Sequence, residues 1–379
     1  MQTTAATEEY SEERMLFLAL ELGDALWKLG MTVGRGQKPR VRTIRAGDVC
    51  QLLEEIGAAK RRFGLPGLAR VVSCYEAGRD GFWLHRMLVA EGIANVVVDP
   101  SSMEVNRRRR RAKTDRLDVH KLLRDLMRWH DGDRRVWSVV HVPSEEAEDQ
   151  RHLHRELGAL KGERTRHTNR ISSLLLTQGI RLSVDREFLA RLSTARTWDG
   201  SPVAPQLRCR LEREYQRWEL VCAQIRELER QRRVALREGE GEGVQVARAL
   251  YRLRGIGENF AWLAAMEVFA WRRFQNRRQV GGLAGLTPTP YDSGSSTREQ
   301  GIGKNGNRRL RAMAIEIAWG WLRFQPESEL ARWFEKRFGS GNQRSRRVGI
   351  VALARRLLVA LWRYLETGVV PEGAVLKAY

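Results

Sequence analysis

Met15-Leu-Phe-Leu-Ala-Leu-Glu-Leu22 is a continuous apolar run that reads as a β-strand, broken at Gly23. Leu26–Val33 reads as its hairpin partner, the glycine-rich basic stretch Gly34–Arg40 as a turn, and Val41–Ile44 as a third strand. Asp48–Phe63 has helical spacing (Val49, Leu52, Leu53, Ile56) and ends at Gly64. Arg70–Tyr75 then predicts a strand, Gly81–Glu91 a helix, Ala94–Asp99 a strand closed by Pro100, and the region around Arg116–Trp129 a helix. A hairpin and third strand followed by alternating helices and strands is the order of a mixed α/β sheet with helices on its faces.

After Pro143 the texture changes. Ser144–Leu176 and Leu207–Glu238 are long, charge-rich and apolar at three- and four-residue spacing, which fits two arms of an antiparallel helical hairpin or coiled coil. Gly179–Pro205 between them is less regular, and the Gly-Glu-Gly-Glu-Gly stretch at 239–243 reads as a linker or hinge. Val244–Tyr379 is again helical, with a loop rich in Gly, Ser and Pro at 285–306. The expected organisation is a flexible N-terminus (1–14), a sheet domain (15–143), a helical arm (144–243) and a mostly helical C-terminal domain (244–379). No internal repeat is evident.

The chain of 379 residues carries 67 Lys+Arg against 46 Asp+Glu, a net charge of +21. Such a charge repels itself unless a polyanion neutralises it, and nucleic acid is the default polyanion. The excess is mostly arginine, whose planar fork matches phosphate oxygens, although a GC-rich genome also favours arginine over lysine. An anionic membrane fits less well, because no single basic amphipathic helix stands apart. No apolar run approaches the roughly 20 residues that span a bilayer. Met1–Arg14 is polar and acidic, unlike a signal or transit peptide. Cys50, Cys74, Cys209 and Cys222 are too scattered for a disulfide framework or a Cys-x-x-Cys metal site. The expectation is a soluble intracellular protein.

Four acids stand out at strand ends. Glu21 closes the first strand, Glu76 directly follows the Arg70–Tyr75 strand, and Asp115 and Asp118 open the next helix, three residues apart and so on one face. Buried acids are costly unless a cation neutralises them, and oxygen-only ligands suit Mg²⁺ or Mn²⁺, which serve phosphoryl transfer. Asp115 as a helix cap with Asp118 adding charge in the first turn is the plainer reading of that pair.

Lys113-Thr-Asp-Arg-Leu-Asp118, preceded by a strand and the arginine run Arg107, Arg108, Arg109, Arg110 and Arg111, resembles the Lys-Thr-Asp-x-x-Asp signature of insertion sequence 110 family transposases. Tyr75-Glu-Ala-Gly-Arg-Asp-Gly81 looks like that family's Glu-x-x-Gly segment. Val142-Pro-Ser-Glu-Glu146 and Glu163–Arg170 are also similar to it. Leu253-Arg-Gly-Ile-Gly257, Gly285-Leu-Thr-Pro288, Tyr291-Asp-Ser-Gly294 and Gly303–Arg311 resemble its C-terminal transposase domain. The match runs in order over nearly the whole chain.

The resemblance implies a ribonuclease H-like (RuvC-like) first domain holding Mg²⁺ or Mn²⁺ through Glu21, Glu76, Asp115 and Asp118. Glu21 stands where the family has Asp, and Asp24 is a nearby rival, turned to the opposite strand face by its odd separation. Read alone, Ser293 is a turn serine. The resemblance makes it the nucleophile, with Ser295 and Ser296 as close decoys, and Lys304, Arg308, Arg309 and Arg311 placed to meet phosphate charge. Arg107–Arg111 and Lys113 sit where a scissile strand would pass. The implied partners are donor and target DNA, a non-coding bridge RNA that pairs with both, and further copies of the chain in a homodimer or homotetramer with the helical hairpin as assembly arm; no membrane is implied.

Gly255-Ile-Gly257 resembles half of a helix-hairpin-helix, which is also what a plain helix start looks like. His152 and His154 show no metal-ligand spacing, and Trp262, Trp271, Trp319 and Trp321 read as core residues. Two other functions fit the same residues: a junction-resolving nuclease that activates water at the acids, and a non-catalytic nucleic-acid-binding protein with a degenerate site.

Overall fold

The computed structural model describes residues 14–103, 115–293 and 296–378, with 115–117, 290–293 and 296–300 described as backbone. Contacts divide the chain into two units, Met1–Val142 and Pro143–Tyr379.

The first unit is built on the apolar run. β1 (Leu16–Leu22), β2 (Leu26–Thr32) and β3 (Arg40–Arg45) form an antiparallel meander. α1 (Val49–Arg62) leads to β4 (Val71–Glu76), and α2 (Trp83–Ala90) to β5 (Ala94–Val98). β4 pairs parallel with β1, and β5 parallel with β4, giving a five-stranded sheet of order β3-β2-β1-β4-β5. Parallel pairing requires a crossover, and α1 and α2 are those crossovers. α3 (Asp115–His130) covers the other face.

Alternation along β1 explains its unbroken hydrophobicity. Leu16, Leu18 and Leu20 pack with Leu52 and Ile56 of α1 and Leu84 and Leu88 of α2. Phe17 and Ala19 pack with Leu122, Leu123 and Leu126 of α3. A strand covered on both faces needs no polar alternation.

Gly30 on β2 lets α3 come close. It pairs with Ala19, and a Cβ built on it would stand 2.3 Å from Val119 Cγ1 of α3. Valine is stiff at χ1, so the helix must shift instead. Gly30→Ala is expected to lose about 1–3 kcal/mol of stability in urea unfolding, the usual cost of overpacking; an unchanged midpoint would mean that α3 has slack here.

The second unit is almost all helical. α4 (Glu145–Asp149) and α5 (His152–Leu176) occupy the stretch expected as one helix. The interruption falls at Gln150–Arg151, where the buried Arg151 donates from Nε to the Ala147 carbonyl at 3.1 Å. α6 (Phe188–Thr194) lies in the less regular stretch and precedes α7 (Pro205–Glu238). α5 and α7 are antiparallel as expected: Leu157 and Leu160 meet Val221 and Ile225, while Ile171 and Leu175 meet Leu211 and Tyr215.

The expected 239–243 linker is a tight turn. Arg248 of α8 (Glu242–Arg252) donates to the Leu236 carbonyl at 2.6 Å and the Gly239 carbonyl at 2.8 Å. Only Gly239–Gly241 breaks the helix, with Gly241 at φ +97°.

α9 (Glu258–Ala264) runs into a π-turn at Ala265–Phe269, followed by α10 (Arg277–Leu283). The expected loop at 285–306 contains the antiparallel hairpin β6 (Pro288–Ser293) and β7 (Ser296–Ile302). α11 (Arg308–Phe324), α12 (Glu329–Phe338) and α13 (Gln343–Thr367) complete the core around Trp321, Phe334, Leu357 and Leu361.

Candidate acidic site and serine hairpin

Strand register and helix direction point Glu21, Glu76 and Asp118 of the first unit toward one end of the sheet. Leu20 pairs with Tyr75, so Glu21 and Glu76 are the next residues on two adjacent parallel strands. Glu21 shares the face of Phe17 and Ala19, and Glu76 that of Val72 and Cys74, which is the face covered by α3. Phe17 at the start of β1 meets His130 at the end of α3, ring to ring at 5.3 Å. Helix and strand are therefore antiparallel. Leu122 lies over Cys74, whose Sγ is 3.9 Å from its carbonyl. Asp118, one turn earlier, is thereby carried toward the strand ends that bear Glu21 and Glu76.

Burial pushes the Cys74 thiol far up, helped by the Asp125 and Glu76 carboxylates. Asp125, 5% exposed, shares a helix face with Asp118 and contacts Arg124 and Arg128. Sequence reasoning passed over it because it lies mid-helix, away from any motif.

Among the described residues no group of three or more His, Cys, Asp or Glu side chains is close enough to hold a metal ion. Asp115 contributes its backbone alone to the description. Glu21, Glu76 and Asp118 nevertheless offer the all-oxygen donors that suit Mg²⁺ or Mn²⁺ in kind. Asp24 lies in the turn after β1, 88% exposed at its side chain and paired with Arg79 at 2.8 Å, so strand parity does not apply to it. Arg107–Arg111 and Lys113 lie outside the described residues, as does Ser295.

In the second unit, Ser293 is the last residue of β6 and pairs with Ser296. The base of this hairpin is stitched down. Gly303 N donates to Thr287 O at 2.8 Å, Lys304 N to Gly285 O at 3.1 Å, and Asn307 N to Leu283 O at 2.7 Å. Gly285 (φ +63°) lies so close that a Cβ would stand 2.1 Å from Asn305 O. Arg311, expected to face phosphate, donates instead to Ala284 O at 3.1 Å and Lys304 O at 2.9 Å. Lys304, Arg308 and Arg309 are exposed around the start of α11.

Gly255-Ile-Gly257 does join two helices, α8 and α9, with Gly255 at φ +87°. Its scaffold was not apparent from sequence. Gln325, 1% exposed, donates to Arg254 O and Val375 O and accepts from Val375 N, each at 2.8 Å. Lys377 donates to Ile256 O at 2.8 Å and sits over the Tyr251 ring; burial lowers its ammonium to about 8. Trp262 and Trp321 are buried as expected, whereas Trp319 is 45% exposed and Trp271 lies beneath Arg272 and Arg151.

Two buried glutamates hold the helical arm. Glu214 of α7 accepts from His167 at 2.6 Å, Arg170 at 2.5 Å and Arg217 at 2.9 Å. Glu267 on the π-turn accepts from His154 Nε2 at 2.8 Å and from Arg155 through two bonds of 2.8 and 2.9 Å. Burial raises the Glu267 carboxyl, but His154 and Arg155 outweigh it and hold the group at about 2. A carboxyl depressed on folding stabilises above its unfolded pKa and loses that contribution as pH falls through its folded value. Wild-type stability should therefore drop between about pH 4.5 and 2. Glu267→Gln should flatten part of that fall and cost roughly 2–3 kcal/mol at pH 7, since it leaves the buried pair half made. Unfolding titrations across that window check both; an unchanged acid profile would locate the acid sensitivity elsewhere.

Comparison with known proteins follows the same lines. Residues 247–331, spanning the Gly255 loop, the hairpin and α11, match the family described as Transposase IS116/IS110/IS902. The y4rJ protein of Sinorhizobium fredii, by name a candidate transposase, is 42% identical over 375 residues, 96% of this chain and 94% of that protein. The chain belongs to the IS116/IS110/IS902 transposase family. The transposase for insertion sequence element IS1328 of Yersinia enterocolitica is 30% identical over 236 residues, covering 61% of this chain and 68% of that protein. This transposase is thus a DNA phosphoryl-transfer enzyme of an insertion sequence, which sets aside the non-catalytic reading. No described helix of the transposase is long and apolar enough to cross a membrane.

Proposed function

We propose that this transposase cuts and rejoins DNA through a covalent phosphoserine at Ser293, with a divalent metal held by Glu21, Glu76, Asp115 and Asp118. The observation that carries the acidic half is the register of β1 and β4 with the antiparallel α3, which brings Glu21, Glu76 and Asp118 toward one end of the sheet. The strand order β3-β2-β1-β4-β5, a meander followed by two parallel strands, supports a ribonuclease H-like (RuvC-like) domain. A bound Mg²⁺ or Mn²⁺ supplies polarisation of the phosphate there.

The serine half rests on a hairpin held firmly at its base, with Ser293 at its far end. The Ser293 Oγ attacks phosphorus as the bond to the 3′ oxygen breaks, leaving a 5′-phosphoserine and a free 3′-hydroxyl. Attack of a second strand's 3′-hydroxyl on that ester restores both the phosphodiester and the serine, so bond energy is conserved and no ATP is needed. Lys304, Arg308 and Arg309 neutralise charge that builds on the phosphorus oxygens. A bridge RNA that pairs with donor and target DNA would choose the sequence, while a protein of charge +21 grips backbones. Assembly into a homodimer or homotetramer through α5 and α7 completes the reading.

The test uses cells carrying the complete element. DNA-linked protein is isolated under denaturing conditions and the modified peptide mapped by mass spectrometry. An adduct on Ser293 is the expected result. Cleaved DNA without an adduct would assign the chemistry to water, as in a junction-resolving nuclease.

A further inference from the structure

The second unit contains a cleft of about 1160 Å³ lined by α10, the base of the β6–β7 hairpin, α12 and α13. Seven arginines line it against two glutamates. One of those acids, Glu329, is already paired with Arg356 at 3.7 Å. The floor between the arginines is apolar, and Val348 is left 58% exposed.

α13 sets the spacing. Arg347, Val351, Arg355, Val359 and Arg363 follow one another every four residues and all line the cleft. Cations on this face therefore recur about every 12 Å along the axis, with a branched apolar side chain between each pair. The opposite face of α13 is spent on the core through Leu353, Leu357 and Leu361. Two contacts arrange the cleft further. Gly281 of α10 lies against Arg355, so that a Cβ there would stand 2.9 Å from Arg355 Nε. Arg356 is stacked 4.3 Å above the Trp333 ring.

We propose that this cleft binds an unpaired nucleic-acid strand, with phosphates on the arginines of α13 and bases on the apolar floor beside Trp333. A duplex would satisfy the arginines and leave the floor uncovered, because its bases are stacked inside. A single strand presents both charge and flat apolar faces, the combination that single-strand grooves use. The seven arginines of the cleft against two glutamates disfavour another arginine-rich surface of this chain as its occupant. The cleft includes Pro288 and Ile302 at the hairpin base, so a strand lying in it reaches the element that carries Ser293. The inference concerns binding and does not depend on the phosphoserine chemistry.

The experiment measures fluorescence anisotropy of labelled oligothymidylate of about 16 nucleotides, a span typical of single-strand sites. It uses the full chain and compares a duplex of equal length. Arg347→Gln/Arg363→Gln is the variant, since both side chains are exposed and the fold does not need them. Single-strand affinity should fall about tenfold, and the slope of log affinity against log salt should shrink by about 1.4, two phosphate contacts' worth. Duplex affinity should change by less than about twofold, since the cleft is not its site. In wild type, a bromodeoxyuridine-substituted oligomer should photocrosslink to peptides of α12 and α13. Equal losses for single strand and duplex would overturn the proposal in favour of a general cationic surface. Unchanged single-strand binding together with an altered sedimentation coefficient would overturn it in favour of an interface between copies.

Discussion

Ser293→Ala should bind DNA with wild-type affinity, form no protein–DNA adduct, and lose strand transfer by roughly 10⁴-fold or more, the scale on which loss of a covalent nucleophile registers. The substitution removes one hydroxyl at the end of β6 and leaves the backbone pairing of Ser293 with Ser296 in place. The hairpin is anchored through Leu283, Gly285 and Thr287, at its other end, so the variant has no reason to unfold. Ser295→Ala and Ser296→Ala are the necessary companions. If either of them abolished the adduct while Ser293→Ala kept it, the nucleophile would belong to that neighbour. If Ser293→Ala retained DNA cleavage at the wild-type rate, the attacking group would be water, and Ser293 a turn residue.

The first unit was largely readable because its signals are local. A strand covered on both faces is an unbroken apolar run, and Leu16–Leu22 is one. The sequence alone places Glu21 and Glu76 at strand ends. That both share the face of α3 needed the register of β1 on β4 and the packing of the helix as well as the two-residue repeat of a strand. The second unit hid more. The β6–β7 hairpin pairs with itself, and its composition of Gly, Ser, Thr and Pro carries no strand periodicity. The Gly-Glu-Gly-Glu-Gly stretch looked like a hinge because Arg248, which locks the turn, lies a helical turn beyond it.

Long-range partners were out of reach altogether. Glu267 and His154 are 113 residues apart, and Gln325 and Arg254 are 71 apart, so nothing in either neighbourhood announces the contact. Arg311 shows the converse problem. Its sequence context, a run of cations after the glycine-rich loop, is that of a phosphate contact, yet its guanidinium is engaged by two backbone carbonyls. Charge runs give the sign of a surface and leave open which members are structural.

Removing the acids should also silence the transposase, but with a different signature. Asp118→Asn and Glu76→Gln are expected to lose Mg²⁺-dependent strand cleavage by about 10³-fold or more, since two-metal phosphoryl transfer depends on every carboxylate that fixes an ion. Both variants keep the size of the side chain, so the packing of α3 on the sheet is preserved. With Mg²⁺ at about 100 times its Kd, wild type should gain about 2.7 kcal/mol that the variants do not. That second readout separates a metal site from a cluster that merely supports the fold. Glu21 then decides how the first strand contributes. Glu21→Asp should retain cleavage, because the shorter acid still offers oxygen toward the same face, whereas Glu21→Ala should behave like Asp118→Asn. Asp24→Ala should be nearly silent, as its exposed side chain is paired with Arg79 in the turn beyond β1. The opposite result, a harmless Glu21→Ala beside an inactive Asp24→Ala, would move the first ligand out of the strand and into that turn.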